Sequence, residues 1–136
     1  MNASTTDSTP AQRRTAYVVT TLAVLFLTLD TVMKLLRLAP AVAGTVALGY
    51  PEHTVAPIGA IQLVCLVLYL VPRTAVFGAV LMTGYLGGAV ATHVRVGNPL
   101  LSHTLFPVYV AAMLWCGLYL RDARLRGLMP LVRARA

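Results

Sequence analysis

The sequence predicts an all-α protein, a four-helix transmembrane bundle. Of its 136 residues, 58% are hydrophobic and only 11% are charged, whereas about 25% of the residues in a soluble domain are charged. Four apolar segments each run for about 17–20 residues, the length that a helix needs to cross a hydrocarbon core about 30 Å thick. A soluble helical bundle would need a polar stripe along each helix, which stretches such as VLYLV and AAMLWCGLYL lack.

The four spans form one predicted membrane domain over residues 16–126. Residues 1–15 are polar and rich in Ser and Thr, so we expect a disordered cytoplasmic tail. Residues 127–136 are expected to form a basic cytoplasmic tail. The predicted spans run over residues 17–36, 55–71, 75–94 and 102–120.

The connections between spans differ in length and composition. Spans two and three are joined by PRT, residues 72–74, which predicts a tight helical hairpin. The link between spans one and two, RLAPAVAGTVALGYPEHT, is long and apolar, so we expect it to lie along the outer interface or to fold back over the bundle. Between spans three and four, RVGNPLLSH supplies Gly, Asn and Pro for a turn.

The distribution of arginines predicts the orientation of the bundle. With the N-terminus inside, eight of the eleven basic residues flank the inner ends of the spans, as the positive-inside rule requires. The predicted topology is therefore N-in/C-in. Tyr17, Tyr69 and Tyr119 fall at the inner ends, where an aromatic belt is expected. The net charge of +7 follows from this topology and from attraction to anionic lipids, so no nucleic-acid partner is predicted.

Polar residues interrupt the spans near one end of the bundle. Asp30, Lys34 and Arg37 are spaced i, i+4 and i+7, which makes one stripe on a helix. Asp30 is about 20 Å from the inner end of span one and Gln62 about 10 Å below the start of span two, so the two reach a similar height. Because charge inside hydrocarbon faces a bundle interior or a water-filled cavity, we predict a ligand pocket in the outer half, beneath LGYPEH. Its predicted ligand-binding residues are Asp30, Lys34, Gln62, His93, Arg95 and His103.

The charged stripe also has a simpler interpretation. Asp30 and Lys34 can form an intrahelical pair that neutralises itself, while Lys34 and Arg37 extend to the lipid headgroups. The scarcity of other charges on the outer side favours the pocket.

The sequence predicts neither a metal site nor a reactive thiol pair. His53, His93 and His103 share no tight ligand spacing. Cys65 and Cys116 are single cysteines deep in spans two and four, without a CxxC motif. We interpret them as packing residues.

Several motifs make the chain similar to a known family. They are LD…MK, LGYP, the PRT turn, TGYLGGAVATHVR and SHTLFPVY. On these motifs, residues 25–126 resemble the DoxX-like family of small bacterial four-span membrane proteins. The resemblance implies a multi-pass protein of the bacterial cytoplasmic (inner) membrane and, in some relatives, an association with quinone- or thiol-linked oxidoreductase systems. Such sequences commonly carry glutamate where this chain has Gln62, so this chain lacks the second acid that paired-carboxylate proton chemistry would use.

Three functional classes follow from these features. The favoured one is a membrane subunit whose pocket binds a quinone or another small amphiphile, with acid/base catalysis by Asp30 or His93 as an extension. The second is an assembly partner in a homo-oligomer or with an oxidoreductase, using the GxxxG pair Gly84 and Gly88, although packing of that pair within the bundle is the default expectation. The third is a small proton-coupled exporter, which the arginine bias and the cation beside Asp30 disfavour.

Overall fold

The computed structural model describes residues 9–129. Within that range, a 3₁₀ turn at Glu52–Thr54 precedes α3 and a π turn at Leu100–Thr104 precedes α5. The predicted tail segments 1–8 and 130–136 lie outside the described residues. The helices are α1 (Pro10–Leu35), α2 (Ala39–Ala47), α3 (Val55–Leu70), α4 (Ala75–Arg95), α5 (Phe106–Arg121) and α6 (Ala123–Leu128).

Four helical segments are long and apolar enough to cross a membrane, which confirms the predicted four-span fold. They are Pro10–Leu35, Glu52–Leu70, Ala75–Arg95 and Leu100–Arg121. In the bundle, α1 packs against α3 and α5, and α4 packs against the same two helices. Which side of the membrane each end faces stays a prediction from the arginine distribution.

The first helix begins earlier than the sequence predicted. Thr9 accepts a hydrogen bond from the backbone of Gln12, whose side chain in turn accepts one from the Thr9 backbone. This capping box, with Pro10 in the first turn, is a strong helix start. The prediction of a disordered tail is therefore wrong for residues 10–15.

The α3–α4 hairpin is close-packed at its turn. Thr74 Oγ1 donates to the Leu68 carbonyl over 2.8 Å, and a Cβ on Gly78 would collide with the backbone of Tyr69. Tyr69 is fully buried and donates to the Leu114 carbonyl at 2.9 Å. It therefore anchors α3 to α5, and its predicted place in an aromatic belt is wrong.

The GxxxG pair does not pack within the bundle, so the default expectation for it is wrong. A Cβ on Gly84 or on Gly88 would meet no atom within 4 Å. Close helix approach depends instead on Gly59, Gly78 and Gly117, where an added Cβ would contact α1 or the α3 backbone. Small residues at such points let helix backbones approach closely.

Residues 37–54, which we call the roof segment, fold back over one end of the bundle. The segment begins where Arg37 adopts φ 51°, and the Leu38 amide donates to the Met33 carbonyl, as in a Schellman cap. Arg37 therefore leaves the helix and does not continue the stripe of Asp30 and Lys34. Its guanidinium binds Glu52 at 2.7 Å, which ties the start of the roof segment to its end.

Candidate functional site

A cavity of about 560 Å³ lies beneath α2, among α1, α3, α4 and α5. One part of its wall is apolar and includes Phe26, Leu86, Phe106 and Val110. The polar lining residues are Asp30, Lys34, Thr45, Gln62, Tyr85, His93, Asn98 and His103. Five of the six predicted residues thus line one cavity.

Lys34 is the centre of a hydrogen-bond network that joins three helices. Its Nζ donates to Asp30 Oδ2 at 2.5 Å, to Gln62 Oε1 at 3.0 Å and to the Tyr85 hydroxyl at 3.1 Å. Tyr85 donates to the same Gln62 oxygen at 2.8 Å, and Gln62 Nε2 donates to the Leu27 carbonyl at 3.3 Å. Lys34 does not extend to the headgroups, because its ammonium hydrogens bind partners on α1, α3 and α4.

Gly59 allows this network to form. It lies on α3 one turn before Gln62, where an added Cβ would come within 2.8 Å of Lys34 Cβ and 3.3 Å of the Leu35 nitrogen. The absent side chain lets the two helices approach at the height of Lys34. Gln62, which has no exposed surface, then reaches the ammonium group.

Asp30 lines the cavity, and only one of its two carboxylate oxygens is engaged within the protein. The carboxylate is about one-third exposed, with 32% of the side chain accessible, whereas 16% of the Lys34 side chain is accessible. Oδ2 binds Lys34, and Oδ1 accepts no hydrogen bond from any residue between 9 and 129. A carboxylate can accept several hydrogen bonds, so Oδ1 is open to a guest.

Two histidines, His93 and His103, form a second polar group in the lining of the cavity. Asn98 Nδ2 donates to His93 Nδ1 at 2.8 Å, which assigns the ring proton of His93 to Nε2 when the ring is neutral. Asn98 reaches His93 because Gly97, at φ 72°, turns the chain back after α4. The rings of His93 and His103 meet edge to face, with centroids 6.1 Å apart, and His103 Nδ1 contacts Ser102 Oγ at 2.8 Å.

Arg95 lies outside the cavity wall, so its predicted place among the lining residues is wrong. Its guanidinium donates to the Leu48 carbonyl at the end of α2 over 2.5 Å and lies 6.0 Å from the centre of the Tyr50 ring. The Tyr50 hydroxyl pairs with Thr92 Oγ1 at 2.9 Å. Arg95 and Thr92 therefore hold the roof segment against α4.

Comparison with known families assigns the chain. The model of the DoxX-like family matches residues 18–117, which is most of the four-span domain. The chain belongs to the DoxX-like family. Comparisons with curated proteins and with solved structures gave no match. Family membership and the four apolar helices together identify a multi-pass integral membrane protein.

Three polar residues that line the cavity were not among the residues predicted from the sequence: Thr45, Tyr85 and Asn98. Tyr85 was detectable, because it is spaced i, i+4 and i+8 with Ala89 and His93 on α4, and these positions share a helix face. The sequence around Asn98 predicts only a turn. Thr45 lies on α2, a helix within the link between spans one and two that the sequence did not predict.

The lining of the cavity in this protein therefore combines two kinds of polar group. The Lys34 ammonium binds Asp30, Gln62 and Tyr85, so its hydrogens are engaged within the protein. Asp30 Oδ1 has no hydrogen-bond partner among residues 9–129, and a neutral His93 ring carries its proton on Nε2. A guest with an oxygen-bearing head and an apolar body matches such a lining.

Proposed function

We propose that this protein is a ligand-binding membrane subunit whose cavity holds a small amphipathic molecule with a quinone-type head group. The observation that carries the proposal is a single cavity whose lining combines Asp30 and His93 with an apolar wall. Small-molecule sites have this composition: mostly apolar, with a few placed polar groups that orient the ligand.

The size of the cavity supports the same proposal. Its volume of about 560 Å³ falls within the range of roughly 300–1,000 Å³ that small-molecule sites occupy. Phe26 and Phe106 meet edge to face on the cavity wall, with ring centroids 5.0 Å apart. Aromatic rings in the wall can pack edge to face or offset against the ring of a guest.

A redox-linked role in the bacterial cytoplasmic membrane completes the proposal. The arginine distribution predicts that the cavity lies in the outer half of that membrane, where we expect a lipid-soluble guest to reach it from the bilayer. The Asp30–Lys34 ion pair disfavours the exporter alternative, because an exporter would alternately protonate and release its buried acid. The exposed Gly84 and Gly88 favour assembly with a membrane partner as a second candidate function.

Thermal unfolding of the purified protein in detergent tests ligand binding. We expect duroquinone and other short-chain quinones to raise the melting temperature as the logarithm of their concentration. His93→Ala removes one head-group hydrogen bond, and we expect it to weaken binding about threefold to tenfold, the equivalent of about 0.5–1.5 kcal/mol. The melting temperature of the ligand-free variant should change little.

His53→Ala is the matched control, because His53 is an exposed histidine outside the cavity wall. We expect this variant to respond to quinones like the wild type. A quinone panel that leaves the wild-type melting temperature unchanged would contradict the proposed function. An equal loss of the quinone response in the His93→Ala and His53→Ala variants would show that His93 does not bind the ligand specifically.

A further inference from the structure

The available polar atoms of the cavity also select among guests. On the Lys34 side, the ammonium already donates to Asp30, Gln62 and Tyr85, so it has no hydrogen left for a guest carbonyl. The atom that remains open there is Asp30 Oδ1. A carboxylate oxygen only accepts hydrogen bonds, so the guest group beside Asp30 must be a donor.

The charge of Lys34 limits what that donor can be. Its Nζ lies 2.5 Å from Asp30 Oδ2 and compensates the carboxylate charge. An ammonium guest at Oδ1 would place a second positive charge within a few ångströms of the first, in a medium of low dielectric constant where like charges repel strongly. A neutral hydroxyl donates to the carboxylate without this repulsion.

We infer that the cavity prefers the reduced, hydroxyl-bearing hydroquinone form of an aromatic amphiphile to the oxidised quinone form, with Asp30 Oδ1 accepting a hydrogen bond from one hydroxyl. The inference rests on the proposed function and deepens it by naming the form that binds. A quinone carbonyl carries only lone pairs, so at Asp30 it faces another acceptor. A hydrogen bond to a charged acceptor is stronger than one between neutral groups, so we expect a preference of about tenfold or more.

Duroquinone and duroquinol provide the test, because their fully methylated ring offers thiols such as Cys65 no unsubstituted carbon to attack. Binding of each form to the full-length protein is measured anaerobically in detergent by calorimetry. We expect duroquinol to bind about tenfold more tightly. A tenfold preference for the reduced form also raises the midpoint potential of the bound two-electron couple by about 30 mV.

Asp30→Asn reverses the hydrogen-bonding character of this position. Lys34 then faces the amide oxygen, and the amide NH₂ group faces the guest, so we expect the preference for duroquinol to be lost or to change to duroquinone. Glu52→Gln makes the same chemical change at an exposed ion pair outside the cavity. That control should keep the wild-type preference.

The outcomes separate this inference from the proposed function. If neither form binds the wild-type protein, the proposed function and the inference are both overturned. If both forms bind equally, or duroquinone binds more tightly, the cavity is a ligand site but the inference is wrong. The wild-type comparison decides this even if Asp30→Asn does not fold.

Discussion

Replacing Lys34 with methionine is expected to lower the free energy of unfolding by about 3 kcal/mol. Removing one member of a buried ion pair typically costs about 3–5 kcal/mol, and the partial exposure of Asp30 places this case at the low end. The change leaves a carboxylate without its partner inside the bundle. It also removes the donor that joins α1 to Gln62 on α3 and Tyr85 on α4. Denaturant unfolding in detergent measures the loss.

Two further variants identify the cause of that loss. Asp30→Leu combined with Lys34→Met should recover part of the stability, because no unpaired charge remains. Arg37→Met removes the only other ion pair among residues 9–129, whose partners are both more than half exposed; such a pair contributes no more than about 1 kcal/mol. A Lys34→Met variant as stable as Arg37→Met would show that Lys34 does not hold the helices together.

Gly78→Ala is expected to destabilise the α3–α4 hairpin by about 3 kcal/mol, the upper end of the range for overpacking. The new Cβ would lie 2.5 Å from the Leu68 carbonyl carbon and 2.6 Å from Tyr69 Cα. These are backbone atoms, so α3 itself must shift. That movement also strains the hydrogen bond from Tyr69 to Leu114 on α5. The melting temperature in detergent checks the effect.

Gly87→Ala is the matched control on the same helix. A Cβ there meets no atom within 4 Å, and alanine has the higher helix propensity, so we expect no loss of stability. If Gly78→Ala and Gly87→Ala melt at the same temperature, the close contact between the hairpin helices does not stabilise the fold.

The four-span fold and the depth of the site within the bundle could be predicted from the sequence. Both depend on how many residues separate a position from the end of its helix. Span length identifies the membrane helices, and alternating chain direction brings Asp30 and Gln62 to one level. Which helix faces meet is a tertiary property. The pairing of Lys34 with Tyr85 therefore could not be predicted from span positions alone.

The errors in the predicted site have physical reasons as well. His93 and Arg95 are two residues apart on α4, about 200° around a helix, so they cannot both face one cavity. The i+7 spacing from Asp30 predicts that Arg37 continues the helical stripe, but Arg37 adopts the left-handed conformation that glycine favours in a Schellman cap. With Arg37 at φ 51°, α1 ends at Leu35, two residues before the end of the predicted stripe.

Cavity filling tests most directly whether the space beneath α2 is the ligand site. Ala89 lies on the cavity wall, one turn from Tyr85 and one turn from His93, so Ala89→Phe places a ring inside the cavity. Ala91 is two residues away, exposed and outside the wall, which makes Ala91→Phe the control. We predict that Ala89→Phe folds but loses the rise in melting temperature that duroquinone or duroquinol produces, while Ala91→Phe retains it. A full ligand response in Ala89→Phe would contradict the assignment of this cavity as the binding site.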